Sequence, residues 1–177
     1  MGSTFQAVVD LDATAGEAPA LAERVVAWLV GAGVLLPERK DVGDGKGWYA
    51  EGPRWAAVTD ERRYVGGDGL AAVTGRTVFW SPQGGDAVCP SCAAVLEGRA
   101  ALFSPAIDAW WRTGEAEVDC PACGRTVPLA AWEWGPDGFA FAYLGFEVWN
   151  GPPLRPGFVA EVGRVLGHRV RLVRGKI

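Results

Sequence analysis

The chain has 177 residues, 21 acidic and 17 basic, with an apolar share of 49% and a formal charge of −4. That length and balance describe one globular domain with room for an insert, and they exclude a disordered chain. The longest uncharged apolar run, Val25 to Leu36, has twelve residues, against the roughly 20 that a membrane-spanning helix needs. Four cysteines are too few for a disulfide-dense miniprotein.

The stretch Met1–Gln6 sets no basic residues before an apolar run, so no secretory signal is read and a cytoplasmic protein is expected. Only Lys40, Lys46 and Lys176 are lysines; with abundant Ala and Gly this arginine bias reads as the codon usage of a GC-rich bacterial genome.

In chain order, Phe5–Leu11 reads as a strand. A helix follows, with Leu21, Val25, Trp28 and Leu29 on one face, Pro19 near its start and Gly31 near its end. Val34–Leu36 reads as a second strand. Residues 40–87 are Gly-rich, with strand-like pieces at Gly47–Ala50, Arg54–Val58 and Thr77–Trp80 whose order is not assigned. Further on, Ser104–Trp111 can form a short helix, and Glu115–Cys120 is a strand with its acids on one face. Gly135-Pro136-Asp137-Gly138 fits a type I turn. Phe139–Trp149 carries apolar residues on both faces, as a central covered strand does. Phe158, Val162, Val165 and Leu166 then mark a helix between Pro156 and Gly167, and Arg169–Val173 a last strand.

A β-α-β unit at about 4–38 and another at about 139–177 predict an α+β fold, a ferredoxin-like sandwich of four antiparallel strands backed by two helices. The segment at about 40–135 is then an insert within a single domain.

That insert holds all four cysteines, in Cys89-Pro90-Ser91-Cys92 and Cys120-Pro121-Ala122-Cys123-Gly124. Two residues between cysteines let a tight turn bring both sulfurs to one ion, with backbone N–H groups aimed at the thiolates. Proline after the first cysteine presets the turn, and glycine after the second adopts positive φ freely. Two such pairs at this separation read as a zinc site. Iron also suits four sulfurs, and disulfide chemistry is the other alternative; spacing alone leaves both open. The clusters resemble the paired knuckles of zinc-ribbon proteins over residues 89–123. The resemblance implies Cys89, Cys92, Cys120 and Cys123 as ligands of a closed structural zinc site, inside a zinc-ribbon-like module.

Asp10-Leu11-Asp12-Ala13-Thr14 resembles the opening motif of haloacid-dehalogenase-like phosphatases, which implies Asp10 as nucleophile and Asp12 as general acid beside Mg²⁺. A later acidic pair for the metal and an alternating β/α chain are both missing, so two acids at a strand end read better as turn and cap residues. The only histidine, His168, sits where a cation complements a helix C-terminus. The sequence therefore leans away from an enzyme.

Nine tryptophans are many for this length. Most fill a core, but adjacent Trp110 and Trp111 cannot both face inward on one helix. Together with Trp132 they form the candidate surface for a protein partner beside the zinc module. Residues 1–154 hold 11 basic and 20 acidic residues, whereas 155–177 hold six basic and one acidic. Arg169, Arg171 and Arg174 in that tail are the candidates for nucleic acid, which the net acidity disfavours. The expected function is that of an accessory, regulatory or immunity-type protein acting through a protein partner, away from membranes.

Overall fold

The structure, a computed structural model, describes residues 2–60, 67–82, 84–98, 100–135 and 138–177. Among the described residues, eleven strands and three helices run in the order β1 (Thr4–Asp10), α1 (Ala18–Gly31), β2 (Leu35–Lys40), β3 (Gly47–Glu51), β4 (Leu70–Phe79), β5 (Ala87–Val88), β6 (Val95–Leu96), α2 (Ala100–Thr113), β7 (Glu117–Asp119), β8 (Thr126–Pro128), β9 (Glu133–Trp134), β10 (Ala140–Trp149), α3 (Pro156–Leu166) and β11 (Val170–Lys176). No helix among the described residues is long and apolar enough to cross a membrane.

Six strands form one antiparallel sheet in the order β11-β1-β10-β4-β3-β2. The two expected β-α-β units are present. α1 and α3 cover one face together, burying Leu21, Val25 and Leu29 with Phe158, Val162 and Leu166 against Val8, Leu144, Phe146 and Val148. Trp28 stacks on Phe158 across the helix pair, ring centroids 6.2 Å apart. Each fully buried side chain of this size contributes about 1.5–3 kcal/mol.

The sheet differs from the expected four strands because β4 and β3 stand between β10 and β2. β10 is apolar on both faces and needs a partner on each edge. The ten-residue β4 supplies the second, and it takes in the short piece expected at Thr77–Trp80 as far as Phe79. The inserted unit is correspondingly shorter than 40–135, because β3 and β4 belong to the main sheet. Arg54–Val58 is not a strand either: Trp55–Ala57 is a 3-10 turn, with Trp55 N–H donating to Gly52 and Ala57 N–H to Arg54. Pro53 lacks the donor that a ladder requires. Pro136 and Asp137 of the expected type I turn lie outside the described residues; Gly138 N–H donates to the Gly135 carbonyl at 3.0 Å.

On the opposite face, Phe5, Ala7, Val9, Val73, Phe79, Ala140, Ala142 and Val173 form a smaller core. Gly145 is required there, since a Cβ would lie 2.4 Å from the Phe79 ring.

The cysteine-bearing segment builds a third core. Hairpins β5–β6 and β7–β8 carry the two cysteine pairs, β9 pairs with β5, and α2 runs between the hairpins. α2 begins four residues before Ser104, so Pro105 sits within it; its missing N–H leaves the Ala101 carbonyl without its i+4 partner. Phe103 has no exposure and meets Trp132 and Trp134 edge-on, at 4.9 and 4.8 Å. Phe141 of β10 joins this cluster and ties the module to the sheet.

Candidate metal centre

The two cysteine hairpins repeat one backbone pattern. Cys89 N–H donates to the Ala94 carbonyl at 3.0 Å, and the Cys89 carbonyl accepts from Ala93 N–H at 2.8 Å. Cys120 N–H donates to Arg125 at 2.9 Å, and its carbonyl accepts from Gly124 N–H at 2.8 Å. The residue after the second cysteine of each pair has positive φ: Gly124 at 71° and Ala93 at 58°. Glycine takes this conformation freely, whereas an L-alanine is strained there. The first hairpin therefore holds its shape at a cost that the second avoids.

The hairpins face each other so that all four sulfurs lie within 4.8 Å of one another. Cys92 Sγ and Cys120 Sγ, from opposite hairpins, are 3.9 Å apart. Tetrahedral Zn–S bonds of about 2.3 Å place neighbouring sulfurs about 3.8 Å apart, so the spacing suits a metal ion. All four cysteines are free of disulfides. Cys89 and Cys120 are buried in the module's core, and Cys92 and Cys123 are exposed. The cluster thus sits at the module's edge, half sunk into it.

The electrostatics fit as well. Burial acts to raise the Cys89 thiol, but the N–H groups of Ser91 and Cys92 and the neighbouring sulfurs outweigh it, bringing it down to about 7. The Ala94 N–H acts to lower Cys92, yet burial and the other three sulfurs push it up to about 12. Once one sulfur has ionised, the next must ionise beside it. A divalent cation relieves that repulsion, and four sulfurs leave no coordination position open for a substrate.

No family model, curated protein or solved structure matches this chain.

The other residues singled out in the sequence are dispersed. Trp110 and Trp132 are 4% and 2% exposed, whereas Trp111 is 55% exposed. Of the three tryptophans expected at the surface, Trp110 and Trp132 are buried and Trp111 is exposed. Trp110 packs on Phe141 and Tyr143, and Trp132 on Phe103, because α2 turns its apolar stripe toward the sheet. The basic tail is not a free stripe. Arg169 makes a two-pronged pair with Asp12, and Arg171 donates to the Phe139 carbonyl at 2.8 Å. Arg174 is exposed on the edge strand β11.

Asp10 is fully buried. Its Oδ1 accepts N–H bonds from Asp12 and Ala13 at 2.9 and 3.0 Å. His168 Nδ1 lies 2.8 Å from Asp10 Oδ2, so the lone histidine reaches across to β1 instead of serving its own helix end. Hydrogen bonds from Arg169, first from its side chain and then from its backbone, hold the Asp12 carboxyl below its ordinary range. These acids tie the two β-α-β units together and leave Asp10 no face for a nucleophile. The Asp10–His168 contact joins residues 158 apart in the chain, and no local signal marks it. Thr14 and Glu17, by contrast, form a reciprocal capping box before α1, a pattern visible as Thr-x-x-Glu.

Proposed function

We propose that this is a zinc-stabilised accessory or regulatory protein that acts by binding a protein partner. The observation that carries the reading is the closed cluster of Cys89, Cys92, Cys120 and Cys123, which suits a structural ion and offers nothing to a substrate. Zn²⁺, when bound, supplies a cross-link between the two hairpins. The four cysteines hold it, and α2 with Phe103, Trp132 and Trp134 packs behind them. The module is zinc-ribbon-like in its paired knuckles, carried on a ferredoxin-like sandwich widened by β3 and β4, in a bacterial cytoplasmic protein. Zinc is favoured over iron because no other feature of the chain suits an electron carrier.

Exposed Trp111 on α2 is the anchor we assign to the partner surface. Quantitative affinity capture from the source cell, comparing the wild-type chain with Trp111→Ala, tests this. The reading expects a specific protein to be enriched by the wild type and lost with the variant. Identical captured sets would contradict it. Nucleic-acid binding has less support, because Arg169 and Arg171 are already engaged. If it occurs, it weakens steeply with salt. A Mg²⁺-dependent phosphatase has less support still, given the sealed Asp10.

A further inference from the structure

The main sheet ends on β2 at one side and on β11 at the other, and the two edges are built differently. β2 contains Pro37, shifts register against β3 between Leu35 and Arg39, and carries Glu38, Arg39 and Lys40. Proline, irregular register and mixed charge close an edge strand to further pairing. β11 has neither proline nor a register shift. It pairs with β1 over all seven of its residues, from Asp10 opposite Val170 to Thr4 opposite Lys176. Leu11 N–H donates to the Arg169 carbonyl at 3.0 Å, and Ile177 N–H to the Ser3 carbonyl at 2.8 Å. Backbone groups alternate in direction along an antiparallel ladder, so the odd-numbered residues of β11 point theirs at β1. The N–H and C=O groups of Val170, Leu172, Arg174 and Lys176 therefore point outward, and no strand lies beyond them among the described residues.

The same four residues share the helix side of the sheet, because Val170 and Leu172 pack against the core under α1 and α3. Those two are half-buried and leave an apolar flank at the edge, whereas Arg174 and Lys176 are exposed. With Arg171, β11 holds three basic residues and no acid. A second copy pairing here would set a basic strand against a basic strand. A nucleic acid would meet the charge, but it has no ladder of N–H and C=O groups to match the backbone. An extended acidic segment satisfies both: main-chain bonds attach it, and alternate side chains set its register.

We propose that β11 accepts an extended acidic segment of a partner protein as a further antiparallel strand, with acids opposite Lys176 and Arg174 and apolar residues opposite Leu172 and Val170. This edge is separate from Trp111 and from the cysteine cluster, and the proposal rests on neither.

The capped, dye-labelled peptide Glu-Thr-Glu-Thr-Val-Thr-Val, laid antiparallel on β11, meets those positions in that order. Fluorescence anisotropy with the intact, metal-loaded chain tests the proposal, and saturable binding in the submillimolar range is expected. N-methylation of the peptide's third and fifth residues, whose N–H groups face β11, should weaken binding about tenfold or more. N-methylation of the fourth and sixth, whose N–H groups face away, should change it less than about threefold. Arg174→Glu should weaken binding about fivefold or more, and a peptide with Lys in third place should restore binding to that variant. Absence of saturable binding at millimolar concentration overturns the proposal. So does an equal effect of the two N-methylated peptides, or a single-stranded oligonucleotide that binds as tightly. A dimer that the peptide dissociates, seen by sedimentation, would give the edge to a second copy and overturns the acidic partner. Should Arg174→Glu fail to fold by circular dichroism, the two N-methylated peptides on the wild-type chain decide.

Discussion

Replacing Phe103 with alanine tests how the cysteine module holds together. Phe103 is wholly buried, and its ring lies edge-on to both Trp132 and Trp134. A Phe→Ala change in such a core costs about 3–5 kcal/mol, of which each aromatic pair accounts for about 0.5–1.5 kcal/mol. A structural tetrathiolate metal contributes roughly 10–16 kcal/mol, so the metal-loaded variant should stay folded, and the same variant should lose its module on chelation. The cores of the sheet and the module are separate clusters, joined through Phe141. The penalty should therefore fall on the module alone. Guanidinium denaturation read by tryptophan fluorescence, alongside far-ultraviolet circular dichroism, resolves the two: Trp110, Trp132 and Trp134 report the module, and Trp28 and Trp55 the sheet. A loss below about 1 kcal/mol, or an equal shift in both regions, would refute this account of the packing.

Further outcomes follow from single positions. Ala93→Gly removes the left-handed alanine at φ 58° and should stabilise the module by about 0.5–1 kcal/mol in thermal or chemical melts; destabilisation would contradict the strain argument. Gly145→Ala drives a methyl into the Phe79 ring and should cost about 1–3 kcal/mol, measured the same way. Glu51 has a buried oxygen without a partner, and burial raises its carboxyl above the ordinary range, with Asp68 adding to the rise. Below its unfolded pKa the group is protonated in both states and contributes nothing; as pH rises through the folded value, the ionised form destabilises the fold. Glu51→Gln should therefore raise the melting temperature at pH 7 and leave it unchanged near pH 4, and an equal shift at both pH values would refute the cause.

The elements legible in the sequence are those whose pattern is local. The helix stripes at Leu21–Leu29 and Phe158–Leu166 and the two-faced apolar run of β10 needed only periodicity. The cysteine spacing marked the residues that the hairpins bring together. What the sequence did not disclose depends on pairing between distant segments. β4 became central because β10 needed a second edge partner, which no residue within β4 announces. Trp110 is buried because α2 sets it on Phe141 and Tyr143 of β10, and Trp132 because Phe103 of α2 meets it edge-on. Asp10 and Asp12 look catalytic in one dimension, and only the return of His168 and Arg169 from the far end of the chain shows them as fastenings.

The central claim, that four thiolates close on one structural ion, is tested most directly by the metal content of protein purified without added metal. Reactive thiols are counted on the same sample before and after chelation. The account predicts one zinc per chain, thiols masked until chelation, and loss of the module's folded signal once the metal is removed or the thiolates are protonated at low pH. Metal-free protein with four reactive or oxidised cysteines and an intact fold would contradict it.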